Sequence, residues 1–247
     1  KVEKFLSAIK QHKYEFLLTE KTIWSPKDPA LIQAMLWDYY RFLEEKKLPQ
    51  EHIMPYLHGN NPDYHPGYSL FIKTLGEFKV WRGPVEIKTK EWSRDKARKL
   101  LQILVAHRGQ FIRSEQLVDW LWPDKSREQG KQNLKVIINA LSRILEPERQ
   151  GHTPYFIERN TQGYGLIDFN KFFVDADLFE ARVQLGLKYY QQNKLELARE
   201  VLEEAVSIYE GDYLPEMGYE EWAPLDQEAM RRLYMDAAGR LAEIYFQ

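Results

Sequence analysis

Apolar residues recur at helical spacing along much of the chain, most clearly between Arg94 and Leu166. In Arg94–His107 (RDKARKLLQILVAH), Ala97, Leu100, Leu101, Leu104 and Val105 share one stripe, which predicts an amphipathic helix. Arg108-Gly109 stops it, and Ser114 offers an N-cap oxygen to a short helix that ends at Trp122-Pro123. Ser126 is placed to cap a longer helix over 127–145, closed by Pro147. Tyr155–Asp168 (YFIERNTQGYGLID) then reads as two short strands around a Gly-containing turn. A long helix braced by two shorter ones and flanked by a basic hairpin suits insertion into a DNA major groove.

Spacing residues of the long helix at 100° puts Leu134, Ile138, Leu141 and Leu145 together, with Ile137 and Ile144 at the edge. The opposite face carries Gln129, Gln132, Lys135, Val136, Asn139 and Arg143. Gln and Asn can pair bidentately with adenine and Arg with guanine, and an exposed Val can meet a thymine methyl. An ordinary amphipathic helix also has a polar outer face. Here, however, no Asp or Glu occurs between Gln129 and Ile144, in a chain with slightly more acids than bases. These six residues are therefore expected to read base edges.

The hairpin tip carries Arg159, Thr161, Gln162 and Tyr164, donors that a wing would direct to phosphates or into the minor groove. Arg94, Lys96, Arg127 and Lys131 lie at helix starts or in early turns, where exposed backbone N–H groups also attract phosphate. They complete the expected backbone-contacting set.

Upstream, Val2, Phe5, Leu6 and Ile9 suit a short helix. Pro29 after Asp28 starts another, with Ile32, Met35, Leu36, Tyr39, Tyr40 and Leu43 facing inward. Glu51–Leu57 suits a third helix, and the turn-rich run from His58 to Gly67 marks a boundary. Residues 1–67 are thus expected to be a helical connector, or the end of an upstream domain, without a substantial core of their own. Ser69–Thr74, Phe78–Trp81 and Val85–Ile87 predict a three-stranded antiparallel meander over the first helix.

From Phe172 the pattern is helical throughout. Asp177 is the expected cap of a helix through Phe179, Val183, Leu187 and Tyr190, followed by a helix over Leu195–Tyr209. Glu210–Pro215 breaks the run, and Pro224 begins a long last helix. The paired Ala/Leu/Tyr stripes predict tetratricopeptide-like hairpins without a strict repeat. The expected domains are therefore 1–67, 68–170 and 171–247. The fold class is mainly α with small β elements.

Charge sharpens this division. The net charge of −2 conceals a middle segment, 68–170, with 18 Lys+Arg against 12 Asp+Glu, or +6. The last segment, 171–247, has 8 against 16, or −8. A basic segment suits phosphate binding through counterion release, whereas the acidic one suits a protein partner. The chain has no Cys, which excludes disulfides, zinc-thiolate sites and cysteine nucleophiles. A reducing cytoplasm is compatible with this composition. No apolar run has the length of a membrane span. His52, His58 and His65 match no common metal-ligand spacing. There is no GxxxxGK[ST] loop, GxSxG elbow or HExxH. No catalytic residue, metal or cofactor is assigned.

Arg98-Lys99-Leu100-Leu101, Ser114-Glu115-Gln116-Leu117, Leu121-Trp122-Pro123, Asn133-Leu134 and Gly163-Tyr164-Gly165-Leu166 together resemble an OmpR/PhoB-type winged helix. More narrowly, the chain from about Tyr68 to Gln247 resembles the SARP-type bacterial activators, in which a bacterial transcriptional activator domain follows the winged helix. Asp175, Asp177 and Gly211-Asp212-Tyr213-Leu214-Pro215 carry that second part of the resemblance. Gly165 departs from related wings, which often carry Arg there. The resemblance implies a winged helix-turn-helix followed by tetratricopeptide-like helices, in the C-terminal part of a larger regulator. It implies binding to double-stranded DNA at direct repeats as a head-to-tail pair, contact with RNA polymerase, and no enzymatic activity. The alternative is a protein-binding scaffold whose winged helix has lost its DNA role. The base-reader face distinguishes the two, because a scaffold has little use for it.

Overall fold

The computed structural model describes residues 2–12, 29–57, 66–92, 94–149, 151, 153–217 and 223–246. The segment between Lys13 and Asp28, which includes the expected cap Asp28, lies outside the described residues. So does His58–His65, with two of the three weighed histidines.

Helices α1 (Val2–His12) and α2 (Pro29–Glu45) follow from the amphipathic pattern of this region. Leu6, Ile9, Ile32, Leu36 and Leu43 bury together with Ile53 in a small cluster separate from the main core. The third helix expected at Glu51–Leu57 is only a 3-10 turn at Met54–Tyr56.

The main core starts from strands β1 (Leu70–Lys73), β2 (Lys79–Arg82) and β3 (Val85–Glu86). They form the expected meander, with Ile72 opposite Val80 and Trp81 opposite Glu86. Leu70 and Ile72 point inward. The sheet has a fourth strand that the sequence pattern hid: β6 (Phe172–Val174) runs parallel to β1, with Leu70 opposite Phe172 and Ile72 opposite Val174. The uninterrupted helical reading from Phe172 is thereby corrected. Three residues are too few to show a period of two, and burial of Phe172 and Val174 beside β1 makes them a strand.

Three helices pack beneath the sheet: α3 (Asp95–Ala106), α4 (Ser114–Leu121) and α5 (Arg127–Leu145). The bounds of α5 are those expected, and the Ser126 hydroxyl accepts from the Gln129 N–H at 3.4 Å. Ser114, expected as a cap, is instead the first residue of α4, and the N-cap is Arg113 with no side-chain cap bond. The cause is tertiary. Ile112 exchanges backbone hydrogen bonds of 2.9 and 3.1 Å with Tyr164, which keeps the chain extended up to Arg113. Strands β4 (Glu158–Arg159) and β5 (Tyr164–Gly165) form the hairpin.

Helices α6 (Asp175–Gln191), α7 (Leu195–Ile208) and α8 (Ala223–Tyr245) form the C-terminal unit. Asp177 does not cap α6, which leaves β6 directly with Val174 at the N-cap position. A Cβ on Gly186 would stand 2.6 Å from Leu202, so α6 and α7 meet at close range. The core is continuous across the boundary: Phe179, Val183, Leu202, Tyr213 and Leu214 belong to the same buried cluster as Leu70, Leu100 and Leu141.

A polar seam backs this shared core. The buried Asp175 carboxylate accepts from the Thr74 N–H (2.7 Å), the Thr74 hydroxyl (2.6 Å) and the Leu75 N–H (3.0 Å). Glu210–Pro215 does more than break the helical run. The Leu214 N–H donates to the Thr74 carbonyl at 2.8 Å and the Gly76 N–H to the Asp212 carbonyl at 3.0 Å. From α3, Arg98 and Gln102 both donate to Glu216, the latter at 2.9 Å. The sheet and α3 are thus tied to the C-terminal unit at several independent points.

Candidate nucleic-acid interface

Helix α5 is sorted by face as its sequence requires. Leu134, Ile137, Ile138, Leu141, Ile144 and Leu145 are buried against α3 and α4. Gln129, Gln132, Lys135, Val136, Asn139 and Arg143 are all exposed. Val136 remains 47% exposed, which leaves its methyl groups open to an apolar contact from outside. Among the described residues, no side-chain hydrogen bond or ion pair engages any of the six. Their donors and acceptors are open to a ligand lying along the helix.

Gly130 sets how α5 sits on α4. A Cβ there would stand 2.1 Å from Val118 Cγ1, closer than a Cβ contact allows, so glycine permits this helix crossing. At the far end of α5, the buried Glu146 carboxylate accepts from the Tyr155 N–H at 3.0 Å and the Phe156 N–H at 3.2 Å. Burial raises its carboxyl pKa, while those N–H groups and Arg149 pull in the opposite direction. One side chain thus fastens the end of α5 to the chain entering the hairpin.

The hairpin tip is shaped by Asn160, whose Oδ1 accepts from the Gln162 N–H (2.7 Å) and the Gly163 N–H (3.1 Å). Gly163 has φ +149°, and a Cβ would lie 1.8 Å from the Ile112 carbonyl oxygen. Arg159, Thr161 and Gln162 are exposed. Tyr164 is not a tip donor: its side chain is buried, its backbone pairs with Ile112, and the Arg159 guanidinium lies over its ring at 5.6 Å. Gly165 lies against the Gln110 carbonyl oxygen, 2.5 Å from where a Cβ would be, so an Arg at this position would require the backbone to shift.

Among the helix-terminal cations, Arg94 and Arg127 are exposed. Lys96 is half-buried, and its ammonium donates to the Leu121 carbonyl at 2.7 Å, which closes the end of α4 and commits one of its three N–H groups. Lys131 faces outward but is paired with Glu115 at 2.6 Å. That hydrogen bond, together with the carboxylate's own backbone hydrogen bond and the charge of Arg127, holds the Glu115 carboxyl below its ordinary pKa. Arg113 escaped the sequence pattern. It is exposed at the start of α4, beside the wing, because the Ile112–Tyr164 bridge places it there. Among the described residues, no cluster of His, Cys, Asp or Glu could hold a metal, and no helix is long and apolar enough to cross a membrane.

Comparison with known proteins agrees with this geometry. Residues 90–166 match the family described as transcriptional regulatory protein, C terminal, and residues 174–247 match the bacterial transcriptional activator domain. No curated protein matches the chain. Among solved structures, Mycobacterium tuberculosis EmbR in complex with a low-affinity phosphopeptide has the same fold, with a TM-score of 0.60 at 20% identity. The match covers 72% of this chain and 45% of that one, so the chain spans less than half of EmbR. An OmpR/PhoB-type winged helix followed by a bacterial transcriptional activator domain is the arrangement of SARP-type regulators, and the chain belongs to that group of transcription regulators.

Proposed function

We propose that this regulator binds double-stranded DNA sequence-specifically and activates transcription in the cytoplasm. Helix α5 enters the major groove and the wing lies on the backbone or in the minor groove. The observation that carries this is the outer face of α5: six exposed side chains suited to base edges, none engaged by another side chain among the described residues. Gln129, Gln132, Lys135, Val136, Asn139 and Arg143 read bases. Arg94, Arg127, Lys131, Arg159 and Thr161, with Arg113 added, contact the sugar-phosphate backbone.

One winged helix covers few base pairs, and a genome offers many competing sites. Two copies bound head to tail on a direct repeat would supply the missing discrimination, with half-sites about one helical turn apart. The acidic C-terminal unit is repelled by phosphate. It therefore lies away from the duplex, where it meets a neighbouring copy or RNA polymerase.

The test is binding of the chain to a fragment library of genomic DNA at two salt concentrations, followed by sequencing of the retained fragments. Enrichment of a repeated motif that survives the higher salt is expected. Retention without enrichment would reduce the interface to phosphate contacts, and no retention at either salt would favour a protein-binding scaffold.

A further inference from the structure

Beyond Glu128 in its first turn, α5 carries no acid up to Ile144, but another stands beside it in space. Glu115, in the first turn of α4, sets its carboxylate 2.6 Å from the Lys131 ammonium, and both side chains are about half exposed. The contact is built into the helix crossing. Val118 lies one turn after Glu115, Gly130 immediately precedes Lys131, and the missing Cβ of Gly130 lets these two turns touch. Arg127 lies one turn before Lys131, and its charge also acts on Glu115. A carboxylate thus stands among the cations nearest the start of the proposed reading helix.

We infer that Glu115 acts through Lys131 as a built-in competitor for DNA phosphate, holding down the part of the affinity that does not depend on base sequence. This rests on the proposed DNA-reading role of α5. Attraction to phosphate is the same on every sequence, and it scales with the number of phosphates that protein cations neutralise. A duplex phosphate must take Lys131 from Glu115, and the displaced carboxylate remains close to the polyanion. The base readers of α5 are untouched by this exchange, so they carry a larger share of the total affinity.

The experiment is fluorescence-anisotropy titration of the whole chain on a random-sequence duplex across a salt series. Wild type is compared with E115Q, E115D, K131Q and the double variant E115Q/K131Q. E115Q should bind about two- to fivefold more tightly, the range an exposed ion pair allows. Its plot of log K against log salt should steepen by up to about one unit. E115D should restore most of the competition, and in the K131Q background the gain from E115Q should largely vanish. If wild type binds duplex but E115Q binds no tighter, or if the full gain persists without Lys131, the inference fails while the DNA-binding role stands. If wild type binds no duplex, the DNA-binding role fails and takes this inference with it.

Discussion

Arg108, at the end of α3, donates through Nε to both carboxylate oxygens of Asp177 in α6, at 2.9 and 3.1 Å. A second guanidinium nitrogen reaches the Tyr213 hydroxyl at 3.2 Å and the Val105 carbonyl at 2.9 Å. Burial works against the cation, but Asp177 and Tyr213 more than compensate, so the Arg108 pKa lies above its ordinary value. Burial also pushes the Tyr213 hydroxyl up to about 12, although Arg108 pulls it down. A single guanidinium thus joins the helix that backs α5 to two separate parts of the C-terminal unit.

The first prediction concerns this seam. Asp175→Ala leaves the Thr74 and Leu75 N–H groups and the Thr74 hydroxyl unpaired in a buried place, and should cost on the order of 3 kcal/mol or more. Asp177→Ala, where the lost carboxylate is partly solvated, should cost less, roughly 1–2 kcal/mol. In urea denaturation both variants should unfold in one transition, because the two units share a core. A separate early transition of the C-terminal helices alone would show that the seam does not couple them. A fragment ending at residue 170 lacks β6 and Asp175, so it tests DNA binding only if it is first shown to fold.

A second prediction concerns the readers. Asn139→Ala and Arg143→Ala should each lose about 1–3 kcal/mol of discrimination at one or two base positions. Competition between the selected motif and single-base variants of it measures this. Equal weakening on all sequences would reassign both residues to phosphate contacts.

Glu146 gives a pH prediction. Its folded pKa is raised above the ordinary value of 4.5 by burial. The raised pKa contributes stability that is fully present below that ordinary value and is lost as pH rises through the folded pKa. Glu146→Gln cannot ionise and lacks this dependence. Wild type should therefore gain stability relative to E146Q as the pH falls from neutrality towards that ordinary value, measured by denaturant midpoints. The opposite slope would mean that the Tyr155 and Phe156 N–H groups outweigh burial.

Gly239 lies inside α8, is exposed, and has open space where a Cβ would stand. Gly239→Ala should stabilise the chain by about 0.5–1 kcal/mol through reduced freedom of the unfolded state. Thermal unfolding measures it, and a loss of stability would reveal a conformational need for glycine that packing does not explain.

Local pattern alone determined a good part of this chain. The bounds of α5, its buried and exposed faces, the cap at Ser126 and the β1–β3 meander are all short-range consequences of hydrophobic period and turn residues. The order of the two domains was legible too, through motifs spaced along one continuous stretch.

Tertiary structure decided what local period cannot encode. Ser114 and Asp177 are good capping residues, yet each lies inside its helix, because a strand-like contact from elsewhere in the chain fixes the preceding backbone. Phe172–Val174 became a strand only because β1, about a hundred residues earlier, offered an open edge over an apolar floor. Tyr164 and Lys96 were drawn inward to satisfy packing and a helix-terminal carbonyl. Glu115 reached Lys131 only through the approach of α4 to α5 at Gly130. Each of these depends on residues far apart in sequence meeting at close range, and the burial and hydrogen bonding gained there outweigh the preferences of the local chain.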